Sequence, residues 1–306
     1  MSEIQGLLPF WKEKGMTSHD CVNRVRRIFN MKKVGHGGTL DPDVSGVLPI
    51  ALGKATKVLE YMLDSDKIYC GSVTFGRSTT TEDSSGETVD EQQVPATLTR
   101  DQIQEKMNTF IGEISQTPPM YSAVRVNGRH LYEYAREGVT VERPSRQVHI
   151  YAWETTSDLI WRENGETSID FKVRCSKGTY IRTLAVDLGQ SLYLPAYMSS
   201  LIRTQAGGIK QEECVTLQQL QNFAEEMTPE ELADKCLLPL ERALTHLSHF
   251  EMNEEVYRQV KNGAPLSRSL YPSQDYPVVM MYCGKAVAIY EAHKTKKDLM
   301  KPKKVI

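Results

Sequence analysis

Residues 35–42 read Gly35-His36-Gly37-Gly38-Thr39-Leu40-Asp41-Pro42. Three glycines closed by a proline make a poor helix or strand interior. The glycines permit positive φ and allow another stretch of chain to come close. Pro42 keeps Asp41 out of the α region and stiffens the turn. The run is therefore expected to be a constrained loop presenting one carboxylate beside one histidine. A carboxylate held in this way suits a reactive group. It equally suits an aspartate that caps the turn Asp41-Pro42-Asp43. A phosphate cradle is the weaker option, because no Gly-Lys-Ser/Thr follows the glycines.

The chain has 306 residues, enough for two domains, and 40% apolar with 25% charged residues is the composition of a soluble globular protein. No apolar run approaches the roughly 18 residues of a membrane span. No signal peptide is visible at the start, so the expected address is the cytoplasm. The six cysteines contain no Cys-x-x-Cys pair, which argues against a zinc knuckle and a disulfide framework. Net charge is only −2, but it is unevenly spread. Residues 210–255 hold eleven acidic and three basic side chains, a balance of −8, so the rest of the chain sums to +6. Arg24, Arg26, Arg27, Lys32 and Lys33 form one basic run; Lys294, Lys296, Lys297, Lys301, Lys303 and Lys304 form another. Such runs can follow a phosphate backbone, although either alone reads as solvated surface.

Ser18 is the expected N-cap of a helix carrying Val22, Val25, Ile28 and Phe29 on one face and Arg24 and Arg27 on the other. Ala55, Val58, Leu59, Met62 and Leu63 suggest a second helix. Tyr69, Gly71, Val73 and Phe75 alternate as in a strand, and residues 76–93 read as an exposed loop. A helix is expected near 99–111. Ile169, Phe171, Val173 and Cys175 make the clearest strand, preceded by the turn signal Asn164-Gly165. A helix is expected from Tyr180 to Leu188, stopping at Gly189. Residues 210–255 read as helical and solvated. Val278–Tyr282 and Ala286–Tyr290 suggest a hairpin. His246 and His249 sit at helical spacing but lack further ligands, so surface histidines are expected there rather than a metal site. The irregular mixture favours α+β over a doubly wound fold.

The longer run from Gly35 through Asp41-Pro42-Asp43-Val44-Ser45-Gly46-Val47-Leu48-Pro49 to Gly53-Lys54-Ala55-Thr56-Lys57 closely resembles the signature of the bacterial tRNA pseudouridine-55 synthases, the TruB family. Other stretches resemble that family in the same order: Gly15-Met16-Thr17-Ser18, residues 64–69, Pro119-Met120-Tyr121-Ser122-Ala123, Leu131-Tyr132-Glu133-Tyr134-Ala135, and Cys175-Ser176-Lys177-Gly178-Thr179-Tyr180-Ile181-Arg182-Thr183. The resemblance covers residues 4–205, about two thirds of the chain. Lys12-Glu13 departs from the usual Lys-Pro, and Val44 stands where Ala is frequent.

The resemblance implies an α+β pseudouridine synthase fold, with a central mixed, largely antiparallel sheet flanked by helices. It implies a catalytic domain over residues 1–245, with an inserted RNA-gripping segment near 115–145. A small β-rich PUA-like RNA-binding domain would follow over 246–306. It implies conversion of uridine to pseudouridine at position 55 in the T loop of tRNA. That reaction breaks the C1′–N1 bond, turns the base and joins C5 to C1′. No redox change or group transfer occurs, so neither cofactor nor metal is expected. The target uridine must be flipped out of the loop.

The resemblance makes Asp41 the catalytic carboxylate, acting as nucleophile or base. It makes Arg182 the cation that keeps Asp41 ionised, and Tyr69 the ring against the uracil. Tyr180 would line the pocket and Leu201 close an apolar wall. His36 would fill the space the base vacates, Asp83 would order the flipped nucleotides, and Lys12 would bind substrate. The expected partner is the tRNA T stem-loop, with no membrane and no obligate protein partner, and the protein acting as a monomer. Two other readings remain: an RNA-binding and folding module with incidental catalysis, and a guide-RNA-dependent synthase of related fold.

Overall fold

A computed structural model describes residues 4–273 and 275–306. The chain is α+β and forms two compact units. The first comprises residues up to Asp43, Val47–Ser65 and Ala206–Ile306; the second comprises Val44–Gly46 and Asp66–Gln205.

In the first unit, strand Gly6–Lys12 is apolar along nearly its whole length because both of its faces are covered. Leu8 and Phe10 face one core with Cys21, Val22, Val25 and Phe29 of helix Ser18–Ile28, joined by Leu220 and Leu232. Leu7 faces a second core with Val47, Ala55, Val58 and Met62, and with Val279, Met281 and Ile289. Strand Gly6–Lys12 pairs in parallel with Val215–Thr216 through Phe10↔Val215. Strand Val34–His36 runs antiparallel to Ser45–Leu52, with His36 opposite Ile50. The C-terminal part is a five-stranded sheet in the order Ser248–Glu251, Val278–Tyr282, Lys285–Ala292, Leu299–Val305, Leu266–Ser267.

The second unit is built on strands Ala196–Ala206, Lys67–Phe75, Thr167–Cys175, Arg146–Thr155 and Gly112–Gln116, in that order across the sheet. Ile169, Phe171, Val173 and Cys175 are all buried, as their alternation predicts. Helix Arg100–Asn108 lies along strand Arg146–Thr155, where the Gln104 amide donates to the Trp153 carbonyl at 3.0 Å. Ile202 pairs in parallel with Ser45, so the sheet is mixed.

Several local expectations need correction. The N-cap of the first helix is Thr17, not Ser18: its hydroxyl accepts from Asp20 N–H, and the Asp20 carboxylate accepts from Thr17 N–H. Ser18 is buried and bonded to Leu40 instead. The Ala55 segment is a 3₁₀ turn, Gly53–Val58, followed by a short helix, Leu59–Asp64. Residues 76–93 contain a hairpin, Arg77–Thr79 with Thr88–Glu91, and Thr79 is buried.

The later helix spans Ile181–Ser191, with Gly189 inside it. A Cβ at 189 would lie 2.4 Å from the Ala196 Cβ, so close packing rather than termination explains that glycine. Residues 210–255 are not uniformly helical and are not merely a solvated flank. Helices Leu217–Glu226 and Pro229–Cys236 bury Leu220 and Leu232, and Ser248–Glu251 is a strand. His246 and His249 therefore do not share a helix face; both are exposed.

Candidate active site

In the first unit the Asp41 loop is held by its neighbours' backbone. The Pro42 carbonyl accepts from Gly15 N–H at 2.9 Å and from Lys12 Nζ at 3.1 Å. Lys12 is fully buried and also donates to the Glu13 carbonyl at 3.0 Å. On the other side of Asp41, Leu40 N–H donates to Ser18 Oγ at 2.9 Å, and Ser18 Oγ lies 3.3 Å from the Leu40 carbonyl. Gly37 N–H donates to the Pro49 carbonyl at 2.7 Å, next to His36 on its strand. Residues 37, 40 and 42 are thus tied down while Asp41 between them is half-buried. Burying the Lys12 ammonium is costly unless it is hydrogen-bonded, and the two carbonyls supply part of that compensation.

In the second unit Arg182 is 6% exposed, on the first turn of helix Ile181–Ser191. Its Nη1 donates to the Thr81 carbonyl at 3.1 Å and its Nη2 to the Tyr121 carbonyl at 3.0 Å. Asp83 Oδ2 lies 3.8 Å from Nη1. Asp83 Oδ1 accepts from Thr81 Oγ1 at 2.6 Å, Ser85 N–H at 3.0 Å and Ser85 Oγ at 2.6 Å. The guanidinium fork is therefore oriented by donors' partners on two separate chain segments, which a lysine could not reproduce. Tyr69 is buried on its strand opposite Val173, and Leu201 is buried on strand Ala196–Ala206. Tyr180 is the N-cap residue of the Arg182 helix.

Reading the residues alone did not single out Glu82. Its φ is +64°, a left-handed conformation that costs a non-glycine residue energy. Its neighbours on either side, Thr81 and Asp83, both meet Arg182, while the Glu82 carboxylate accepts from Thr183 Oγ1 at 2.7 Å. Burial raises its pKa, against the opposing pull of Thr183, Arg182 and Arg143.

One turn along the helix, burial pushes the Asp187 carboxyl up to about 6, with a contribution from Glu82. A raised carboxyl pKa means the folded state prefers the proton, so ionised Asp187 destabilises the fold. Asp187→Asn is expected to stabilise the protein by about 1–2 kcal/mol at pH 7.5, discounted for partial exposure. The gain should shrink as pH falls from about 6 toward 4 and vanish below the ordinary carboxylate range. Urea unfolding at pH 7.5 and 4 checks this; an equal gain at both would mean that charge is not the cause.

Residues 26–181, just over half of the chain, match the TruB family pseudouridylate synthase N-terminal domain. The chain belongs to the TruB family. Residues 182–245 match the C-terminal domain of tRNA pseudouridylate synthase B. A relative named tRNA pseudouridine synthase B from Bacillus pumilus is 49% identical, with 99% of this chain and 98% of that protein covered. Proteins of the same name from Halalkalibacterium halodurans and Streptococcus pyogenes are 46% and 48% identical, each with 99% of this chain covered and with 98% and 99% of the relative covered. The fold is similar to that in a crystal structure of a Cbf5-Nop10-Gar1 complex, with TM-score 0.74 and 30% identity over 98% of this chain and 84% of that one. Membership of the TruB family makes the protein a pseudouridylate synthase, an isomerase.

Proposed function

We propose that this TruB-family isomerase converts uridine to pseudouridine at position 55 in the T loop of tRNA, with Asp41 as its catalytic carboxylate. The observation that carries the reading is the end-to-end match with enzymes named tRNA pseudouridine synthase B. The C1′–N1 bond breaks, N1 gains a proton, C5 bonds to C1′, and C5 loses its proton. Asp41 attacks the nucleotide or takes a ribose proton. Arg182 supplies the positive charge that keeps a carboxylate ionised. Tyr69 stacks on the extruded uracil beside Tyr180 and Leu201, and His36 occupies the space the base leaves. Asp83 orders the displaced nucleotides through the Arg182 network, and Lys12 serves substrate by holding the Asp41 loop. The catalytic domain takes residues 1–245, and residues 246–306 form a PUA-like RNA-binding domain. The enzyme acts alone, as a monomer, in the cytoplasm, without metal or cofactor.

A T-loop transcript carrying tritium at uridine C5 tests this. Release of tritium by the purified protein is expected without added metal, cofactor or guide RNA. Release only after a guide RNA is supplied would replace the stand-alone reading. No release together with faster RNA folding would favour a binding and folding module.

A further inference from the structure

Strand Gly112–Gln116 runs into the segment expected near 115–145, and its last residue is 1% exposed. The Gln116 side-chain amide is directed at a single residue 64 positions away. Tyr180 N–H donates to Gln116 Oε1 at 2.7 Å, and Gln116 Nε2 donates to the Tyr180 carbonyl at 3.0 Å. The amide thus replaces a strand partner for one residue, satisfying its donor and its acceptor together. Arg146 stands opposite Gln116 in the sheet register. Its guanidinium carbon lies 4.7 Å from the Tyr180 ring centroid, and its Nη2 donates to the Gly178 carbonyl. Two neighbouring strand ends therefore grip the 178–180 stretch, one by its backbone and one by its ring.

This grip sits at the start of the Arg182 helix. Tyr180 caps that helix without a side-chain capping bond; its carbonyl accepts the first helical bond from Leu184 N–H at 3.1 Å and shares that oxygen with Gln116. Arg182 Nη2 is meanwhile bound to the carbonyl of Tyr121, five residues beyond Gln116. Whatever locates Tyr180 also locates Ile181 and Arg182. We propose that Gln116 is a positioning residue for the isomerisation, holding Tyr180 and the first turn that carries Arg182 in the geometry the reaction uses. The proposal rests on the roles given above to Tyr180 and Arg182. Gln116 touches no reacting atom; it acts through the backbone of the residues that do.

Gln116→Met is the decisive variant, because an unbranched side chain of similar size fills the space without either hydrogen bond. Its folding is checked by circular dichroism and thermal melting, with Gln116→Ala as a second variant. The single-turnover rate of tritium release at saturating T-loop RNA is expected to fall about 30-fold, the scale of a small misplacement of catalytic groups. The Kd for the RNA should stay within about threefold. An unchanged rate in a folded Gln116→Met protein overturns the proposal. So does a defect confined to Kd. Wild-type protein releasing no tritium is a separate result, which removes the functional reading itself.

Discussion

Asp41→Asn is expected to reduce tritium release from a C5-labelled T-loop transcript by about 10⁴-fold or more, while the Kd for that transcript changes by less than about threefold. The substitution keeps the shape of the side chain and removes its charge and basicity. The loop contacts that hold this position are made by the backbones of Gly37, Leu40 and Pro42. The loop should therefore survive the change. Filter binding together with tritium release separates the outcomes. Release within tenfold of wild type would place the catalytic carboxylate elsewhere. Loss of RNA binding in parallel with loss of release would make Asp41 a binding residue.

The largest expected effect on stability comes from Gly46→Ala, in the same motif. Gly46 has φ +132° and pairs with Arg203 in the sheet. A Cβ built there would lie 2.3 Å from the Arg203 carbonyl oxygen and 2.6 Å from its nitrogen. Both are backbone atoms of a strand, so no side chain can swing aside. The change combines overpacking with a backbone conformation that alanine resists, and a loss of about 4 kcal/mol or more is expected. Gly128→Ala is the control. Its φ is +84°, but nothing lies within 4 Å of the added carbon, so only the conformational cost of about 1 kcal/mol applies. Thermal melts of both variants test the comparison. Equal destabilisation would mean that the Arg203 contact relaxes and only the backbone angle matters.

Residues differ in how plainly they announce their place. Ile169, Phe171, Val173 and Cys175 were legible because a strand with one buried face imposes a period of two. Leu220 and Leu232 were hidden because their helices bury few positions each among many acids, so composition outweighs periodicity. Thr79 was lost for the converse reason: a polar hairpin looks like a loop, yet its hydroxyl is buried on the Asp83 carbonyl at 2.6 Å. Asp41 stood out through its glycines and proline. Arg182 became visible only through the resemblance of its whole motif. Its hydrogen-bonding partners include the carbonyls of Thr81 and Tyr121, and a carbonyl carries no residue-type signature. The same holds for Gln116 and the Tyr180 backbone.

The basic C-terminal run divides in the folded protein. Lys303 and Lys304 lie 3.9 Å and 3.1 Å from the Glu60 carboxylate, and Lys301 lies 3.3 Å from Glu291. Lys57 joins the same edge by donating to the Val305 carbonyl at 2.8 Å. Lys294, Lys296 and Lys297 remain exposed. A polyanion meeting this end of the molecule would thus trade condensed cations against about three lysines rather than six. The affinity contributed here should fall with salt about half as steeply as the count of charges in the tail implies.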